Sequence, residues 1–200
     1  MLTFASLSPA RRPLRRVAFT AAVLVAAAAC KDFTSVDASF ANVTDSNSLY
    51  AINGSPPGAA TAISLFAGGM VRADQGFGFD IAFDIDANGN ALIIPSRALA
   101  TSYSNPSSVG LQSIGGGFEA LTEAPKDGYR VDTVLVALKG AVVAIESHDV
   151  NTCSFAIKGN SFFSKLVVTD IDAAKRKIDV TVTVNRNCGF RSFAAGIPRF

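Results

Sequence analysis

The ten residues FGFDIAFDID, positions 77–86, limit the fold most strongly. Phe77, Phe79, Ile81, Phe83 and Ile85 alternate with Gly78, Asp80, Ala82, Asp84 and Asp86. A period of two is the period of a β-strand, with apolar side chains on one face and carboxylates on the other. The same alternation returns at 177–185, where Ile178, Val180, Val182 and Val184 interleave with Lys177, Asp179, Thr181, Thr183 and Asn185. Both segments predict half-buried strands with one wet face. TVLVALKGAVVAIES reads as two runs around a Lys139-Gly140 turn, apolar on both faces and therefore central. CSFAIKGNSFFSKLVVTDI predicts two further strands around Lys158-Gly159-Asn160. Only GGGFEALTEAPKDG hints at helix, and Pro125 restricts it to a turn or two. Closely spaced strands broken by Gly, Asn and Asp predict an all-β domain. An antiparallel β-sandwich, or a small β-barrel, with at most one short helix satisfies the pattern. No repeat at a solenoid or propeller period is present.

The first thirty residues obey different rules. Arg11, Arg12, Arg15 and Arg16 precede an apolar run from Val17 to Ala29 that ends at Cys30 and turns polar with Lys31 and Asp32. A basic segment, a short apolar run and a small-residue end describe an export signal. A spanning helix needs about 20 apolar residues, more than this run supplies. The terminal AAAC resembles the cleavage box of bacterial lipoproteins, with Ala27 where such boxes usually carry Leu. In that family the cysteine is acylated, palmitate among the groups added, and becomes the new N-terminus. The resemblance covers residues 1–30 only. It implies a signal peptide at 1–29, lipidation of Cys30, and a membrane-lipid partner. With Lys31 following the cysteine, it also implies outer-membrane localisation, facing the periplasm or the cell surface. Cleavage at a nearby A-x-A-like site, leaving a soluble periplasmic protein, is the other processing the run allows.

Removing the leader changes the charge balance. The whole chain is +2, but without the four leader arginines 14 basic residues face 16 acidic ones. No basic patch remains to suggest nucleic acid. Residues 31 to about 58, rich in Ser, Asn, Asp and Gly and closing on Pro56-Pro57-Gly58, read as a flexible tether. SLYAING within it is an alternative first strand. The expected division is therefore leader 1–29, tether 30–58 and a single β domain 59–200. Fifteen phenylalanines and no tryptophan predict an apolar, aromatic core.

Candidate chemistry is sparse. Asp84, Asp86, Asn88 and Gly89 in DIDANGN match the opening of a calcium loop, but Pro95 stands where an EF-hand needs its bidentate Glu. Asn88-Gly89 between apolar runs is instead a hairpin signal. The expectation is a turn with no metal, Asp84 and Asp86 facing water, and no cofactor. His148, the single histidine, stands near Glu146 and Asp149, but no serine lies in a G-x-S-x-G or S-x-x-K setting. Lys175, Arg176 and Lys177 predict an exposed charged hairpin tip. NCGFRSFAAGIPRF predicts a C-terminal segment docked on the sheet.

With Cys30 taken by lipid and the compartment oxidising, Cys153 and Cys188 are expected to pair. A plain meander through 153–158, 162–171 and 178–185 would put them at opposite strand ends, about 20 Å apart. Pairing thus requires a very short first strand, a different place for it, or a chain that doubles back after Asn185. The function expected is that of an envelope lipoprotein with a binding or structural role, toward an envelope protein or polysaccharide. A carrier holding an apolar ligand in a barrel, and a periplasmic hydrolase using His148, are the alternatives.

Overall fold

In the computed structural model the described residues are 37–75, 78–99, 108–149, 151–153, 156 and 158–198. The leader and Cys30 lie outside them, as do Phe77 and Phe200. Eleven strands are present among the described residues. They are β1 (Val43–Tyr50), β2 (Ala62–Ser64), β3 (Gly69–Val71), β4 (Ile81–Ile85), β5 (Ala91–Pro95) and β6 (Ser108–Ile114), followed by β7 (Arg130–Val131), β8 (Leu135–Ala137), β9 (Val142–His148), β10 (Ser161–Asp172) and β11 (Lys177–Asn185). Among the described residues helical structure is confined to 3-10 turns at Ser96–Leu99 and Phe118–Ala120, the second within the segment expected to hold a short turn.

The strands make two antiparallel sheets, one in the order β1-β11-β10-β9-β6-β7 and the other β3-β2-β4-β5-β8. The architecture is a sandwich, and a closed barrel does not form. One apolar cluster joins the facing sides, with Ile81, Phe83, Ile85 and Ile93 from the five-stranded sheet and Leu111, Ile145, Phe162, Leu166, Ile178 and Val180 from the six-stranded one. Phe79, Phe83 and Phe162 are fully buried, so side chains fill the space between and beside the sheets.

Strand β11 follows its alternation up to Val182, beyond which Thr183 and Asn185 are buried as well. Ile178, Val180 and Val182 are buried, while Thr181 and Asp179 face out toward the polar side of β1. There Thr44 bonds Thr183, Ser46 bonds Thr181 and Ser48 donates to Asp179 across the pair. Strand β4 differs: every residue from Ile81 to Ile85 is buried. Its outer face is covered by Phe79, Ala73 and Ala62 packing on Ala82, so the expected wet face is absent.

Three further expectations are corrected. The presumed tether is strand from Val43, paired residue for residue with β11, and the compact unit begins at Asp37 rather than at 59. A polar edge strand looks like a linker in composition because only Leu49 of its eight residues is buried. The Lys139-Gly140 turn forms, but only the second run is central: β9 lies between β10 and β6, whereas β8 is the edge of the other sheet, paired with β5 alone and with Val136 exposed. Of the run 153–158, the described residues form a turn, not a strand.

That last correction resolves the disulfide geometry. Strand β10 begins at Ser161, opposite the end of β11, and the Gly189 N–H donates to the Ser161 carbonyl at 2.8 Å. Gly189 has φ +79°, and a Cβ there would meet Lys158 at 2.6 Å. Only glycine lets the chain after β11 pass this closely. Cys153 and Cys188 are bonded, with Cα atoms 5.7 Å apart.

Candidate functional site

Strand direction defines two ends of the sandwich. At the proximal end lie residues 37–42, the start of β10, the ends of β9 and β11, and the disulfide. At the distal end lie the β10–β11 turn and the β4–β5 turn, joined by Arg176 and Asp84.

The distal end holds the residues of the calcium-like motif, but their carboxylates serve different partners. Asp84 accepts from Arg176 Nη2 at 2.6 Å and from Asn53 Nδ2 at 2.6 Å, and it is buried rather than water-facing. Asp86 accepts from the backbone N–H of Asn88 and Asn90 and from the Asn90 side chain, which holds its carboxyl below the usual range. The two carboxylates therefore do not converge. Gly89 takes the left-handed φ of +83° while Asn88 does not, so the hairpin turn depends on the glycine alone. Among the described residues no group of three or more His, Cys, Asp or Glu side chains is placed to hold a metal ion.

The basic tip is neutralised rather than free. Lys175 pairs with Asp172 at 3.0 Å, Arg176 with Asp84 and Lys177 with Asp179 at 2.9 Å. Arg176 also donates to the Asn53 and Ile85 carbonyls at 2.9 and 3.1 Å, clamping the six-stranded sheet to the five-stranded one.

At the proximal end the hydrolase candidates separate. His148 is exposed, and its Nδ1 lies 3.4 Å from Ser161 Oγ across the β9–β10 pair. The carboxylate of Asp149 turns inward instead, accepting from the N–H of Asn151 and Thr152 and from Thr152 Oγ1 at 2.5 Å. It shapes the turn that carries Cys153, whose N–H donates to the Asp149 carbonyl at 2.9 Å. A histidine, a serine and an acid aligned for proton relay are not assembled here.

A buried polar cluster near that turn was not foreseen. Asp80, 1 % exposed, accepts from the Leu65 N–H at 2.7 Å. The charge of Asp149 and the side chain of Ser147 both act on this carboxyl. Burial, reinforced by the negative charge of Asp149, pushes Asp80 up to about 6. A carboxyl whose folded pKa is raised binds its proton more tightly folded than unfolded. Its contribution is therefore most favourable at low pH and is lost as pH rises through 6. Unfolding free energy should rise by about 1 kcal/mol between pH 7.5 and 5, and Asp80→Asn, which keeps an acceptor for Leu65, should remove that rise. Urea titrations of both proteins at the two pH values check this; identical profiles would contradict it.

Lys165 was also missed, although its outward position in FFSKLVV marks it. The side chain is 4 % exposed on the outer face of the six-stranded sheet. Its ammonium donates to the carbonyls of Phe118 and Leu121 at 2.7 and 3.1 Å and lies 4.2 Å from the Phe118 ring centre. Desolvation lowers its pKa. With Phe163, Phe193 and Ala124 it pins the 118–124 segment and the C-terminal chain onto the sheet. Phe190 and Phe193 are buried as expected for a docked C-terminal segment, and Arg191 bonds the Ala124 carbonyl and pairs with Glu123.

No family model matches the chain, and neither a curated protein nor a solved structure does.

Proposed function

We propose that this chain is an exported lipoprotein of the bacterial envelope, acylated at Cys30, whose β-sandwich has a binding or structural role rather than a catalytic one. The observation that carries the reading is the Cys153–Cys188 bond in a domain directly behind an export-type leader. Disulfides persist in compartments beyond the inner membrane and are rare in a reducing cytosol. The polar clusters point the same way. Asp84, Asp86 and Asp149 are engaged in turns and in an inter-sheet clamp, which is structural work. The partners that suit the reading are membrane lipid, through the anchor, and an envelope protein or polysaccharide.

In a bacterial host fed labelled palmitate, the wild-type chain should take up label and sediment with membranes. Cys30→Ser should take up none and appear in the soluble fraction. Each acyl CH₂ buried in lipid contributes about 0.8 kcal/mol, so two or three chains hold a protein durably. Membrane retention of unlabelled Cys30→Ser would overturn the anchor.

A further inference from the structure

We infer that the proximal end of the sandwich, around Phe40 and Ile197, rests against the lipid surface. The inference deepens the anchor reading and rests on it. Asp37 follows Cys30 by seven positions. Seven residues span at most about 25 Å whatever their conformation. An acyl group on Cys30 therefore holds whatever surrounds Asp37 within reach of the headgroup layer.

What surrounds it is fixed. The N–H groups of Ser39 and Phe40 donate to Asn187 Oδ1 at 2.8 and 2.9 Å, and Asn187 Nδ2 donates back to the Phe40 carbonyl at 2.8 Å. Asn187 is itself buried and bonded to Asn185 Oδ1. The Asn42 N–H meets the Gly196 carbonyl at 2.9 Å, and the Asn42 amide bonds the carbonyls of Ser192 and Ala194. The arriving chain is thus bolted to the C-terminal segment from Ser39 onward, which fixes Phe40 and Val43 beside Ile197.

Beside that junction three apolar side chains are left open: Phe40 at 52 % exposure, Ile197 at 56 % and Val43 at 37 %. All lie within two residues of the Asn42–Gly196 bridge. Apolar groups held this close to a bilayer gain by entering its interface. The distal end also bears exposed apolar side chains, Val136 at 57 % and Leu138 at 62 %, but it lies farther from the anchor, and Lys175, Arg176 and Lys177 there are each paired with a carboxylate. The nine residues of β11 put that end about 30 Å from the proximal one.

The test uses the chain from Cys30 onward, coupled through the Cys30 thiol to maleimide headgroups in phosphatidylcholine vesicles. Of three cysteines, Cys153 and Cys188 are bonded, leaving Cys30 to react. The chain has no tryptophan, so Phe40→Trp, Ile197→Trp and Ala174→Trp each carry one indole. Replacing part of the lipid with a chain-brominated analogue should quench the first two probes about twofold or more over Ala174→Trp, which lies at the distal turn. Equal quenching at all three sites, or none at Phe40→Trp and Ile197→Trp, would overturn the inference. Two independent probes guard against one variant misfolding. Because the coupling is chemical, this result does not depend on lipidation in cells. A failure here is distinct from a failure of palmitate labelling, which would remove the anchor itself.

Discussion

Arg176→Ala lowers the free energy of unfolding by about 3 kcal/mol, and Asp84→Ala by a similar amount. The guanidinium reaches Asp84, Asn53 and Ile85 together. Removing it leaves a carboxylate, 9 % exposed, with no cation beside it and only neutral donors, the Asn53 amide and the Ile85 N–H, on its two oxygens. Breaking a buried pair from one side costs about 3–5 kcal/mol; the low end applies because the Arg176 side chain is 25 % exposed. Urea denaturation at pH 7 measures the change. A loss below about 1 kcal/mol would mean that the pair acts as a surface ion pair and not as a clamp.

Reducing the Cys153–Cys188 bond, or replacing both cysteines with serine, lowers stability by about 4 kcal/mol. The bond spans 35 positions, and the chain-entropy cost of leaving such a loop open sets that magnitude. A typical domain has about 5–15 kcal/mol in total, so the reduced protein should unfold far earlier in urea. Its proximal end should loosen first, because the bond ties the turn after β9 to the chain leaving β11. Thiol labelling of the native and the reduced protein, followed by urea titration of each, checks both parts. A reduced protein as stable as the oxidised one would contradict the account.

The pairing of the cysteines was legible because it needs only a compartment and a count. The class of fold was legible because period-two alternation is a property of the chain itself. What alternation cannot report is whether the second face of a strand is covered. Asp84 looks like a solvated carboxylate in FGFDIAFDID, and the arginine that meets it is 92 positions away. Asp80 sits in the same pattern and is buried for a similar reason, by Leu65 and Ser147 from other strands and loops. Lys139-Gly140 has the local chemistry of a turn, yet local chemistry does not say to which sheet the next strand goes. Residues 43–50 show the opposite failure: an edge strand with hydroxyls outward carries the composition of a linker, and only its partner β11 reveals it. The proximal polar cluster left a faint trace, since Ser147 and Asp149 continue the inward series of Val143 and Ile145.

We propose above that a lipid on Cys30 holds this sandwich at the envelope. Mass spectrometry of the mature protein purified from membranes tests it most directly. The expected result is an N-terminal peptide beginning at Cys30 and heavier than its sequence by the mass of a diacylglycerol-type group, with or without a further acyl chain. An N-terminus elsewhere, or an unmodified cysteine at position 30, would contradict it.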